Sequence, residues 1–168
     1  MITLVKRKNG ATETYCTVCL PWEQRVKSRL RVRLDSGEEA GIFMPRGTVL
    51  RGGDVLTSEE GDAVLVLAAP EMVSTVRTGD PLLLARICYH LGNRHVALEI
   101  GREYARYLHD HVLDRMVQGL GGDVELEKCP FEPEYGAYGA HGDHGDHGDH
   151  GGHGGHDGHS HGNGNESI

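Results

Sequence analysis

Eight of the chain's twelve histidines fall in one run, HGDHGDHGDHGGHGGHDGHSHG, at His141, His144, His147, His150, His153, His156, His159 and His161. Most are three residues apart, and Asp143, Asp146, Asp149 and Asp157 lie among them. The intervening glycines remove side-chain bulk and leave a flexible coil, so neighbouring imidazoles can turn onto one ion. Imidazole and carboxylate donors suit Ni2+, Cu2+, Zn2+ or Co2+ rather than Ca2+ or Mg2+. The interrupted spacing is unlike the six consecutive histidines of a purification tag. Metal binding is therefore expected of this segment. Selectivity is not, because a floppy ligand string imposes no geometry. Whether the segment is the functional site or feeds one elsewhere is left open by its composition.

Four histidines precede it. His95, in GNRHVALEI, opens a strand just after a helix end, and one imidazole is too few for a specific site. A two-fold axis would bring the same residue from two chains to one point. His109 and His111 flank Asp110 at a strand-to-helix junction. Such a pair either shares an ion or is simply exposed and polar. His90 lies within LLLARICYHLG and reads as a packing or surface residue. Cys16 and Cys19 form a CxxC, which fits a soft-ion or redox pair, or two small residues of a strand; the second reading is preferred. Two thiols do not complete a tetrahedral zinc site. Cys88 shares an apolar stripe with Leu84 and is expected in a core.

Two modules are needed to position these residues. In RVKSRLRVRLDSG, Val26, Ser28, Leu30, Val32 and Leu34 alternate with Lys27, Arg29, Arg31 and Arg33, the period of a half-buried strand with one cationic face. That face is either solvated or a dock for an acidic partner. Asp35-Ser36-Gly37 makes the turn, and AGIFM (40–44), TVL (48–50), DVL (54–56) and AVLVLAA (63–69) follow as strands. Short strands between glycine turns predict a β-rich barrel or sandwich over 1–69. The second rhythm differs. EMVSTVRT is a strand, Asp80-Pro81 an N-cap with proline at the first helical position, and Gly92 suits a left-handed helix end. Strands VALEI and EYARYLH, a helix capped by Asp110 and ending near Gly121-Gly122, and strand DVELEKCPF complete β-α-β-β-α-β. The prediction is thus a two-domain α+β chain: a β-rich domain over 1–69, a ferredoxin-like domain over 70–138, and a disordered tail over 139–168.

Charge and composition exclude several classes. The net charge is −8, but residues 1–53 carry 10 Lys/Arg against 5 Asp/Glu, and the remainder 7 against 20. That small basic excess, without an aromatic-rich RNA motif, argues against nucleic acid. The longest apolar run, AVLVLAA, is too short to cross a bilayer, and the charged start MITLVKRKNG is unlike a signal peptide. A soluble, cytoplasmic protein is expected. No HExxH, P-loop, nucleophile elbow or dinucleotide fingerprint is present, so an enzyme is not.

Taken in order, KSRLRVRLDSGEEAGIFMPRGTVLRGGDVL, YHLGNRHVALEI, LHDHVLDRM and CPFEPEYGAY resemble the UreE family of urease accessory proteins, the nickel metallochaperones. The resemblance spans about Trp22 to Tyr138 and ends in the histidine-rich tail that many members carry. It implies an N-terminal "peptide-binding" domain and a ferredoxin-like metal domain that forms a homodimer. It also implies delivery of Ni2+ to the apo-urease maturation complex with the urease accessory GTPase. By position, His95 resembles the interfacial histidine, of which each subunit gives one imidazole to a shared ion. His109 and His111 match a peripheral pair found in some members. The tail histidines would then be a reservoir and extra ligand supply. The CxxC lies outside the resemblance. The alternative is a non-specific divalent-metal store or detoxifier, which accounts for the tail but not for two folded domains.

Overall fold

A computed structural model describes residues 2–8 and 13–135. The tail expected at 139–168, with all eight of its histidines, lies outside the described residues. The N-terminal half contains β1 (Ile2–Leu4), β2 (Lys6–Lys8), β3 (Cys16–Leu20), α1 (Trp22–Arg25), β4 (Arg29–Arg33), β5 (Glu39–Phe43), β6 (Val55–Thr57) and β7 (Ala63–Ala68). These strands make two sheets, ordered β1-β5-β4 and β2-β6-β7-β3.

The period-two pattern of β4 is realised. Val32 is buried while Arg29, Arg31 and Arg33 are exposed, and β4 lies antiparallel to β5. One core joins the sheets: Leu4, Val32, Ala40 and Ile42 from the first meet Val18, Leu20, Leu56, Val64 and Val66 from the second. Each Val, Leu or Ile among them withdrawn from water contributes roughly 1.5–3 kcal/mol before the entropy of ordering is subtracted. The barrel alternative is not realised. Among the described residues the two sheets stay open and separate, each with its own edges. The chain crosses between them at Val5, whose N–H bonds to the Thr57 carbonyl (3.0 Å).

Two strand boundaries also differ from expectation. The strand read from Val26 begins at Arg29, because a short helix (Trp22–Arg25) intervenes, its first turn closed by the Pro21 carbonyl, which accepts from Gln24 and Arg25 N–H. No strand forms over 48–50. Thr48 closes a turn onto the Pro45 carbonyl, and the Leu50 N–H is taken by the Arg25 carbonyl (2.9 Å).

The second half runs β8 (Pro70–Arg77), α2 (Pro81–Gly92), β9 (Glu99–Ile100), β10 (Tyr104–Leu108), α3 (His111–Gly119) and β11 (Val124–Pro130). Its sheet is ordered β11-β8-β10-β9 with every neighbour antiparallel. Asp80 caps α2 by accepting from Leu82 and Leu83 N–H, with Pro81 in its first turn. Leu84, Ile87 and Leu91 then recur on one face and pack with Val76, Ala105, Tyr107 and Val117. Gly122 lies against this core. A Cβ there would fall 2.8 Å from Val117 Cγ1 and 2.9 Å from Ile87 Cδ1.

Candidate metal centre

The end of α2 delivers His95. Gly92 stays inside the helix and Asn93 keeps a right-handed conformation (φ −62°), contrary to the expected glycine cap. The chain reverses three residues later. His95 N–H bonds to the Gly92 carbonyl (2.9 Å) and Val96 N–H to the Leu91 carbonyl (3.4 Å), the paired bonds of a Schellman motif. The residue that must then be left-handed is His95 itself (φ 55°), the one non-glycine residue with positive φ among those described. Val96 supplies the apolar contact of the motif by packing against the core that holds Leu91. A histidine in glycine's usual place costs on the order of 1 kcal/mol in backbone strain. The strain is borne by an exposed side chain, so it contributes nothing to the core.

The same reversal shortens β9. The predicted strand began at Val96, but only Glu99 and Ile100 pair with β10. The Val96 N–H is committed to the helix end, and the Leu98 carbonyl accepts from Glu134 N–H (2.8 Å).

His109 follows β10 directly, and its N–H bonds to the Met72 carbonyl (3.0 Å). Its Nδ1 lies 3.1 Å from Asp114 Oδ2 and 3.1 Å from Ser74 Oγ. With Nδ1–H donated to that carboxylate, Nε2 holds the lone pair, the tautomer a metal requires. His111 is the first residue of α3 and is exposed. Asp110 caps this helix by accepting from Val112 N–H (2.7 Å) and Leu113 N–H (3.3 Å), and these amides hold its carboxyl below the ordinary aspartate range. His90 is half-buried and stands edge-on to Tyr89.

The CxxC does not form a chelating pair. Cys16 and Cys19 sit on one strand, β3, where residues three apart face opposite sides. Cys16 is buried, which pushes its thiol up and disfavours the thiolate, while Cys19 is exposed. Cys88 packs against the core as expected.

Among the described residues no three His, Cys, Asp or Glu side chains come together as a metal site. His95 therefore belongs to no such three-donor group. Asp114 and Ser74, which orient His109, were not anticipated. Only the position of Asp114 in the first turn of α3 pointed that way, and Ser74 is brought near by the β8–β10 register, which no local pattern reveals.

Residues 3–69 match the model of the UreE urease accessory protein N-terminal domain, and residues 71–162 that of its C-terminal domain. The chain belongs to the UreE family of urease accessory proteins. The second match runs past the described residues and through the histidine run. The chain is 60% identical to the urease accessory protein UreE of Proteus mirabilis over 121 residues, 72% of this chain and 75% of that one. It is 55% identical to the family member of Tolumonas auensis over 142 residues, 82% and 76% of the two chains. For the member of Pseudomonas putida strain W619 the figures are 56% over 138 residues, 82% and 86%. Among the described residues no helix is long and apolar enough to cross a membrane.

Proposed function

We propose that the protein is a cytoplasmic nickel metallochaperone, a carrier and not a catalyst, that delivers Ni2+ to apo-urease together with the urease accessory GTPase. The observation that carries this reading is His95: an exposed imidazole held in a strained left-handed turn and belonging to no group of three metal donors among the described residues. A carrier needs a site that is incomplete alone, because a site with few fixed ligands lets a partner compete for the ion. In this reading a homodimer brings two copies of His95 to one ion, with tail histidines completing or replenishing the shell. His109 and His111 form a secondary, peripheral site. Cu2+, Zn2+ and Co2+ bind the same donors, as imidazole chemistry allows.

The domain division proposed is 1–69 and 70–138 with the tail at 139–168. The sheet order β11-β8-β10-β9 supports a ferredoxin-like assignment of the second domain, and the two open sheets support a sandwich-like first domain. A non-specific metal store is the weaker reading, since storage alone needs neither a strained single ligand nor family membership among urease accessory proteins.

Ni2+ stoichiometry per dimer at neutral pH tests the proposal, in the full chain, in His95→Ala, and in a chain whose eight tail histidines are all alanine. One ion per dimer retained without tail histidines and lost in His95→Ala is expected. Retention of all tight binding in His95→Ala overturns it in favour of storage.

A further inference from the structure

Backbone hydrogen bonding along β4 alternates in direction. Met44 N–H donates to the Ser28 carbonyl (2.7 Å) and Leu34 N–H to the Glu38 carbonyl (2.8 Å), so the even-numbered residues at both ends face β5. Between them Leu30 and Val32 lie opposite Ile42 and Ala40 and make the remaining bonded pairs of the antiparallel ladder. The N–H and C=O groups of Arg29, Arg31 and Arg33 therefore point the other way, off the side of the sheet. Asp35 continues the same line, and its N–H reaches the Thr17 carbonyl (3.1 Å), which marks where the free stretch ends. Among the described residues no backbone group bonds to those of the three arginines.

The side chains of this stretch are unevenly matched in charge. Phe43 stands opposite Arg29, Gly41 opposite Arg31 and Glu39 opposite Arg33. Phe43 lays its ring along its own strand over Gly41, where a Cβ would fall 2.7 Å from Cε2. Glu39 pairs with Arg31. That hydrogen bond, then the charges of Arg31 and Arg33, hold its carboxyl below the usual glutamate range. Against three guanidiniums the described residues thus set one ion-paired carboxylate, in a chain whose net charge is −8.

We infer that β4 accepts an added antiparallel strand from a partner protein, an extended segment with carboxylates at alternate positions that fall opposite Arg29, Arg31 and Arg33. Each arginine then exchanges both backbone bonds with the residue facing it, and the facing side chains share one side of the sheet. Residues between the carboxylates point to the other side, beside half-buried Leu30 and buried Val32, and suit apolar side chains. Nucleic acid answers the charge but not the ladder, because phosphate oxygens only accept and leave the three outward carbonyls without donors. The inference goes beyond nickel delivery and does not depend on it.

The test uses the full chain and a short capped peptide in which glutamate alternates with valine. Two further peptides are N-methylated, one at its glutamates and the other at its valines. In the proposed register the glutamate amides bond to β4 and the valine amides point away. The unmodified peptide is expected to slow hydrogen exchange at the amides of Arg29, Arg31 and Arg33. Methylated valines should leave its affinity nearly intact, whereas methylated glutamates abolish binding. Arg29→Ala and Arg33→Ala should each weaken it by about 2–5-fold, as expected for one cross-strand charge pair. Equal affinity of the two methylated peptides overturns the inference, since charge alone would then hold the ligand. So does unchanged exchange at the three amides in millimolar peptide, or an oligonucleotide of equal charge that displaces the peptide as well as the peptide displaces itself. The peptide arms need no variant, so they decide the matter even if an arginine substitution disturbs the fold.

Discussion

Tyr107 and His109, two residues apart at the end of β10, are held by opposite oxygens of one carboxylate. Asp114 accepts from the Tyr107 hydroxyl at Oδ1 (2.8 Å) and faces His109 Nδ1 with Oδ2 (3.1 Å). Tyr107 is wholly buried, and burial followed by this carboxylate pushes its phenol well above the ordinary range. One side chain of α3 thereby serves the core and a metal-binding candidate together.

Replacing Asp114 by alanine separates those roles. A buried hydroxyl left without its acceptor costs about 1–3 kcal/mol of stability, read by urea denaturation. Loss of the orienting carboxylate lowers metal affinity at His109 by about 10–100-fold. Binding at His95 stays unchanged in the same titration; a parallel loss there would mean that the two histidines belong to one site.

His95→Gly and His95→Ala should part company in stability while agreeing in metal binding. Both remove the imidazole. Glycine relieves the left-handed strain at φ 55°, whereas alanine retains it. The glycine variant is expected to be more stable by about 1 kcal/mol, seen as a higher denaturation midpoint with an unchanged slope. Equal midpoints would show that the turn relaxes without the histidine.

Metal loading should follow the protonation of imidazole. Only the neutral ring binds, because protons compete with the metal for the same nitrogen, so Ni2+ occupancy is expected to fall on acidification from neutral pH. The start of α3 responds at lower pH. The folded-state pKa of Asp110 lies below the reference value of ~3.9, so its cap is fully present above that pH and is lost as pH falls through the lower folded value. Hydrogen exchange at Val112 and Leu113 reports the cap independently of metal.

Gly122→Ala places a methyl within 2.8–3.1 Å of Val117, Ile87 and Val76. Overpacking of this kind costs about 1–3 kcal/mol, so thermal unfolding should fall by several degrees with secondary structure retained. An unshifted transition would show that α3 can move outward.

Much of the frame was legible because side-chain period and caps are local. The alternation of Arg29, Arg31 and Arg33 with buried positions, and Asp80-Pro81 and Asp110 as helix starts, all appear where the residues place them. What escaped was set by distant partners. Gly92 looked like the left-handed position, but the helix ran on, and the reversal fell on a histidine whose motif is closed by Leu91 and Val96. Glu132 reads as one more acidic residue near the end of β11, and only the fold brings Arg25, Arg51 and Gly52 to it. The CxxC was read rightly as small residues of a strand, and strand geometry puts its two thiols on opposite faces.

The cationic stripe of β4 has a consequence for self-association. Among the described residues β4 is an edge of its sheet, and an open edge offers unpaired backbone groups to any passing strand. A second copy laid antiparallel along it would set arginine against arginine on the exposed face, a pairing that like charges oppose. Charge thereby opposes fibre-like stacking along this edge, most at Arg29 and Arg33, since Arg31 is paired with Glu39. That opposition thins as salt rises and the screening length drops from about 10 Å at 0.1 M to about 3 Å at 1 M.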